Sequence, residues 1–246
     1  MENVIETRGL SRKFGEKSAV HDLNLNIKSG EVFGFLGHNG AGKTTTIHML
    51  TTLLSPTSGV AKIGGYDCVS EAMHVRRLIG YVPENVRLYE KMTAIENLVF
   101  FAEISGVDNP RKAAIEVLEF LNCVDYADQR VGEYSKGMRQ RIGIAQAILH
   151  KPSVLFLDEP TAGLDPMGVK MLREVISDLN TEFGMTIFMN THILSEIAKT
   201  CHSIGVLNHG KLVFQADIDT VMARYGDEAS LEELYLNVTK SDEIAI

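Results

Sequence analysis

Residues 37–45 read Gly37-His38-Asn39-Gly40-Ala41-Gly42-Lys43-Thr44-Thr45, a complete G-x-x-x-x-G-K-[ST] stretch. Its flanks decide the fold. Ahead of it, Val32-Phe33-Gly34-Phe35-Leu36 is a short apolar run suited to a buried strand. Behind it, Thr45-Thr46-Ile47-His48-Met49-Leu50 turns polar and apolar at helical spacing. Strand, glycine loop and helix thus follow in the order a phosphate-binding loop requires. The glycines let successive backbone N–H groups face one concavity, and the helix that follows adds its positive end. Lys43 is then placed to reach terminal phosphates as a point charge, and the Thr44 hydroxyl to ligate Mg²⁺. The stretch points to a nucleoside triphosphate as ligand.

Working outward, residues 2–8 and 20–28 read as strands around a turn, Phe14-Gly15-Glu16-Lys17, an antiparallel β part at the amino terminus. Phe14 is an isolated aromatic in a polar segment, equally suited to stacking on a purine or to covering a sheet edge. Val60–Ile63 and Ile79–Val82 read as further strands. After Glu84 the pattern turns helical, over 93–105 and 111–123, with Thr93 and Glu96 spaced as a capping box. Apolar strands return at Ser153–Leu157 and Met185–Met189, and Ile204–Leu207 pairs with Lys211–Phe214 through an Asn208-His209-Gly210 turn. This interleaving predicts a single α/β domain over 1–246 with a mainly parallel sheet. Its nucleotide-binding core takes in 1–85 and 150–215, an inserted helical part 86–149, and a helical tail 216–246. In that tail Ser230 and Glu233 form a second capping box ahead of an apolar stripe, Leu231, Leu234, Tyr235 and Val238. Ligands are expected at the carboxyl ends of the strands.

Two strand ends carry chemistry. Asp158 closes the apolar run at 153–157, where a carboxylate can hold Mg²⁺ directly or through water. Glu159 follows, directed to the other side of the strand end, and can accept a proton from an attacking water. His192, at the end of the next apolar strand, is placed to hydrogen-bond a terminal phosphate or that water.

Composition restricts the partners. With 246 residues, 45% of them hydrophobic and 23% charged, the chain has the make-up of a globular protein with a sizeable core. A net charge of −8 disfavours nucleic acid, whose phosphates call for a basic face. Cys68, Cys123 and Cys201 are far apart and fit free thiols in a reducing compartment. No run approaches the ~20 apolar residues that span a bilayer, and no signal peptide is expected. Any membrane part must come from another chain.

The stretch Tyr134-Ser135-Lys136-Gly137-Met138-Arg139-Gln140-Arg141 resembles the signature motif, usually written LSGGQ, of ATP-binding cassette (ABC) transporter subunits. With it the whole chain resembles that family. The resemblance implies a P-loop NTPase (RecA-like) core. It also implies an adenine-stacking role for Phe14, phosphate binding by residues 37–45, and a coupling segment around Glu84. Asp158 and Thr44 would then hold Mg²⁺ with Glu84, Glu159 would be the base, and His192 a switch. Two cassettes, identical or related, are expected to close head to tail around two MgATP. Ser135 and Gly137 of one would then face the γ-phosphate held by the other. The form YSKGMRQR, with the SPTSG turn and the SLEELYLNVT segment, resembles small export cassettes. Those serve a separate membrane permease from the cytoplasmic face.

This chain departs from the family pattern at four places. Lys136 and Met138 replace the usual Gly and Gln of the signature, His38 replaces a frequent Pro with little expected consequence, and Glu84 stands where Gln is usual. An ionised Glu only accepts hydrogen bonds, so Glu84 is expected to keep its role with a tighter dependence on Mg²⁺. The alternative readings are a soluble ABC ATPase of DNA repair or translation and a cassette that binds without hydrolysing. The first lacks the usual insertions. The second conflicts with intact Lys43, Asp158, Glu159 and His192.

Overall fold

The computed structural model describes residues 2–225, so the capping box and stripe expected at 230–238 lie outside the described residues. The chain opens with two long antiparallel strands, β1 (Asn3–Phe14) and β2 (Lys17–Lys28), joined through Gly15 and Glu16. They are longer than the apolar pattern predicts. Polar Ser11, Arg12 and Lys13 continue β1 past a register shift between Thr7 and Leu10, where Gly9 takes φ +58°. Phe14 is therefore the last strand residue, paired with Lys17, and not part of the turn. With β4 (Ser58–Ile63) and the two-residue β5 (Tyr66–Asp67), these strands form a sheet in the order β2-β1-β4-β5.

The second sheet runs β10-β9-β3-β8-β7-β6. Here β3 is Val32–Leu36, β6 Ile79–Val82, β7 Val154–Asp158, β8 Thr186–Thr191, β9 Ser203–Asn208 and β10 Lys211–Asp217. All are parallel except β10, which returns antiparallel on β9 as the turn chemistry predicts. Strands β3, β7, β8 and β9 are buried at every residue, the continuous pattern of a sheet covered on both faces. Alternate side chains supply two cores. Phe33, Phe35, Phe156 and Phe188 pack together beneath the antiparallel sheet, with the Phe188 ring 5.3–5.4 Å from each of the others. Leu36, Leu155, Leu157, Ile187 and Met189 join the core that the helices cover.

Helix α1 (Lys43–Leu50) follows the glycine loop, and the short α2 (Ala72–Leu78), which the pattern did not reveal, precedes β6. Three helices lie between β6 and β7: α3 (Ala94–Ile104), α4 (Pro110–Phe120) and α5 (Lys136–Ile148). α3 opens on the expected box, with Thr93 accepting from the Glu96 N–H and the Glu96 carboxylate accepting from the Thr93 N–H. α6 (Pro166–Phe183) starts on Asp165 with proline in its first turn and stops at Gly184 in the left-handed region. α7 (Leu194–Thr200) and α8 (Ile218–Tyr225) complete the described elements. All three cysteines are free, as expected, and all are buried; burial pushes the Cys68 thiol up to about 12. Among the described residues no helix is long and apolar enough to cross a membrane.

Thr93→Ala removes one side of the capping box. It should lower stability by about 1 kcal/mol in urea unfolding, with the m-value unchanged.

Candidate nucleotide site

The loop after β3 carries its groups at the carboxyl end of the parallel sheet, as expected of this topology. Its tightest point is Gly42. With φ +108°, it lies so close to β2 that a Cβ there would stand 2.3 Å from the Ala19 carbonyl oxygen. Only glycine fits. The β9–β10 turn braces the loop from the same side, its Gly210 N–H donating to the Ala41 carbonyl at 2.9 Å.

Lys43 opens α1 with its side chain folded back along the loop. Its Nζ donates to the Gly37 carbonyl at 2.7 Å and lies 3.2 Å from Glu159 Oε1. The side chains of Lys43 and Glu159 are only 6% and 11% exposed, so the pair is largely withdrawn from water. Glu159 Oε2 in turn meets His192 Nδ1 at 2.8 Å. A carboxylate can only accept, so Nδ1 carries the proton. Lys43, Glu159 and His192 thus form one chain of contacts. Glu159 reaches it because its backbone sits at φ +48°, an uncommon conformation for a non-glycine residue.

Asp158, on the preceding residue, takes different partners. Its Oδ1 accepts from Thr44 Oγ1 at 3.1 Å and from Asn190 Nδ2 at 2.7 Å, and Oδ2 lies 3.5 Å from the Tyr81 hydroxyl. Burial, followed by the Asp158 charge, holds that hydroxyl protonated far above the usual tyrosine range. One buried carboxylate and one hydroxyl, with no cluster of three His, Cys, Asp or Glu among the described residues, suit Mg²⁺. That ion takes few protein ligands and keeps water or phosphate oxygens for the rest.

The loop walls a cavity of about 360 Å³ that Phe14, Asn39, Gly40, Thr45, Glu84 and Glu159 also line. Phe14 is half exposed, with the Arg12 guanidinium 4.7 Å from its ring centroid. The His38 ring lies beside His209, centroids 5.0 Å apart and planes tilted by 58°, and its Nδ1 faces the Asn39 carbonyl. Neither Ser135 nor Gly137 lines the cavity of its own chain's loop. Ser135 caps α5, its hydroxyl accepting from the Met138 N–H at 3.2 Å.

A family model described as ABC transporter matches residues 20–162. A bacitracin transport ATP-binding protein, BcrA of Bacillus licheniformis, is 43% identical over 91% of this chain and 73% of its own length. The chain belongs to the ABC transporter family. It is an ATP-binding, ATP-hydrolysing cassette that works with a membrane permease. A solved ATP-binding subunit of an ABC transporter superposes with a TM-score of 0.84 at 30% identity, over 96% of this chain and 99% of its own. A dimeric cassette in a post-hydrolysis state with ADP and phosphate superposes at 0.79, with 27% identity over 87% and 98% of the two chains.

Asn190 is the residue that sequence reasoning missed. It pairs with Asp158 across the parallel β7–β8 ladder. Fully buried, it donates to Asp158 while its Oδ1 accepts the Glu159 N–H at 2.6 Å. The available signal was a polar side chain inside an otherwise apolar strand. Asn190→Ala strips one donor from Asp158 and one acceptor from the Glu159 backbone. Stability should fall by about 1–3 kcal/mol, and ATPase activity should fall further than nucleotide affinity. Thermal unfolding, with and without ATP, checks the first part and steady-state kinetics the second.

Proposed function

We propose that this cassette hydrolyses MgATP at the interface of a head-to-tail pair and drives an exporter. The observation that carries the reading is the Lys43–Glu159–His192 chain beside Asp158 and Thr44. Bound MgATP supplies an electrophilic phosphorus and a metal charge that offsets the negative charge developing on the phosphate oxygens. Lys43, already held along the loop by Gly37, exchanges Glu159 for the phosphates. Glu159, released from the ammonium, accepts a proton from water. With Nδ1–H fixed on Glu159, a neutral His192 presents Nε2 as an acceptor to that water. A protonated ring presents a donor to the phosphate instead. Thr44 and Asp158 would hold Mg²⁺, with Glu84 lining the same cavity, and Phe14 would stack on the base.

The second cassette, a copy or a relative of this one, contributes Ser135 and Gly137. A helix amino terminus with a polar cap is a ready site for the phosphate charge. The separation of Ser135 and Gly137 from their own phosphate loop supports this two-chain arrangement. Residues 1–85 and 150–215 act as the nucleotide-binding core, 86–149 as the helical part and 216–246 as a tail. The cassette lies at the cytoplasmic face of the membrane, held by its permease through the surface that follows Glu84 and through α3 and α4. The bacitracin transport relative supports the transport role, and the export direction rests on the resemblance to small export cassettes.

Glu159→Gln keeps the shape and removes the base. Turnover should drop by about 10²-fold or more, with an ATP-bound dimer accumulating in size-exclusion chromatography. A variant that turns over at the parent rate and stays monomeric with ATP would remove Glu159 from this role. His192→Ala should lower kcat with little change in ATP affinity, since the ring acts through Glu159 and the water.

A further inference from the structure

A second polar cavity, of about 330 Å³, opens between the segment after β6 and the first turns of α5, lined by Glu84, Tyr134, Lys136, Arg139 and Gln140. Glu84 also lines the nucleotide cavity, so its side chain stands between the two. Among the described residues, three groups on this second cavity have no partner. Glu84 is exposed, and its side chain makes no hydrogen bond or ion pair with any described residue. Lys136 is likewise exposed and unpaired, its ammonium resting against Gly163, where a Cβ would stand 2.8 Å away. Gln140 is 4% exposed, and its amide nitrogen is buried without an acceptor. Arg139 differs: its guanidinium already serves the Tyr134 and Gly132 carbonyls and Glu90.

An unpaired acid, an unpaired base and a buried donor lacking an acceptor share one cavity. Both charged side chains are exposed on that cavity and can change rotamer toward each other. On the nucleotide side the two ammonium groups are Lys43, which Glu159 already engages, and the exposed Lys17, while Asp158 and Glu159 place two carboxylates there. Like charges drive a third carboxylate away. On the α5 side a lysine ammonium and an amide N–H both favour it. We infer that Lys136 and Gln140 are positioning residues that form a second station for the Glu84 carboxylate. Glu84 occupies it when the nucleotide side holds no divalent cation and leaves it when a cation arrives. The acid at 84 and the base at 136, two of this chain's departures from the family pattern, are then one charge pair. A neutral Gln and a Gly at the same places cannot form it. The inference rests on the metal-side role proposed for Glu84 only for the cation dependence, not for the pair itself.

The test is a double-mutant cycle of Glu84→Gln and Lys136→Gln on the full chain, both at exposed positions that leave the core intact. Nucleotide binding is read with a fluorescent ATP analogue across a Mg²⁺ titration, without turnover. Removing Lys136 should release Glu84 toward the cation and lower the half-saturating Mg²⁺ about threefold, the scale of a partly exposed ion pair. In the Glu84→Gln background the same change should have no effect. An equal shift in both backgrounds would overturn the pair and place Lys136 on the nucleotide of a neighbouring cassette. Thermal unfolding of nucleotide-free, Mg²⁺-free protein at low salt separates this inference from the metal-side role of Glu84. If Glu84→Gln leaves the Mg²⁺ titration unchanged, that role fails. Non-additive midpoints in the cycle still uphold the α5 station, and additive midpoints overturn it.

Discussion

An ammonium group buried at the carboxyl end of a parallel sheet has to be neutralised, and much of this site answers that requirement. Lys43 cannot leave the phosphate loop, because its Nζ is tied back to Gly37 and its backbone opens α1. Charge desolvated to this degree is costly unless opposed at close range. Glu159 supplies the opposing carboxylate, at the expense of a left-handed backbone conformation. Nucleotide phosphates are the other group of suitable charge and reach. The site therefore exchanges one anion for another, and the residue displaced is the base.

The same economy of groups holds Asp158. Its carboxylate is nearly sealed from solvent, yet Thr44, Asn190 and Tyr81 surround it with donors. Asn190 does double service, fixing the Asp158 oxygens and the Glu159 backbone from one side chain. Two adjacent carboxylates are thereby sent to different tasks by their partners. Asp158 is fixed by neutral donors beside the Thr44 hydroxyl, and Glu159 is held by cations that can be drawn off.

The fold makes these placements possible through the order of the sheet. β3 lies between β8 and β9, and β7 beside β8, so the ends of three consecutive strands carry Lys43, Asp158 with Glu159, and His192. Register does the fine work, setting Asp158 opposite Asn190. A one-residue slip would turn Asp158 to the opposite face of the sheet and break the contact with Thr44.

Much of this was written in local sequence. The glycine loop with its strand and helix, the carboxylates closing an apolar run, the capping box at Thr93 and the β9–β10 turn all rest on spacing within a few residues, and local geometry enforces them. The strand lengths of β1 and β2 were not legible, because a bulge at Gly9 breaks the alternation that announces a strand. Nor was the role of Asn190, since a lone amide in a buried strand acquires meaning only from what lies across the ladder. The sequence by itself determined the family, the nucleotide and the residue types of the site. Tertiary structure decided which of them touch: that Glu159 bridges Lys43 and His192, that Asn190 serves both carboxylate positions, and that Glu84 and Lys136 face one cavity. The physical reason is that these contacts join residues 31 to 116 positions apart, and only the register of the parallel sheet and the docking of α5 bring them within reach.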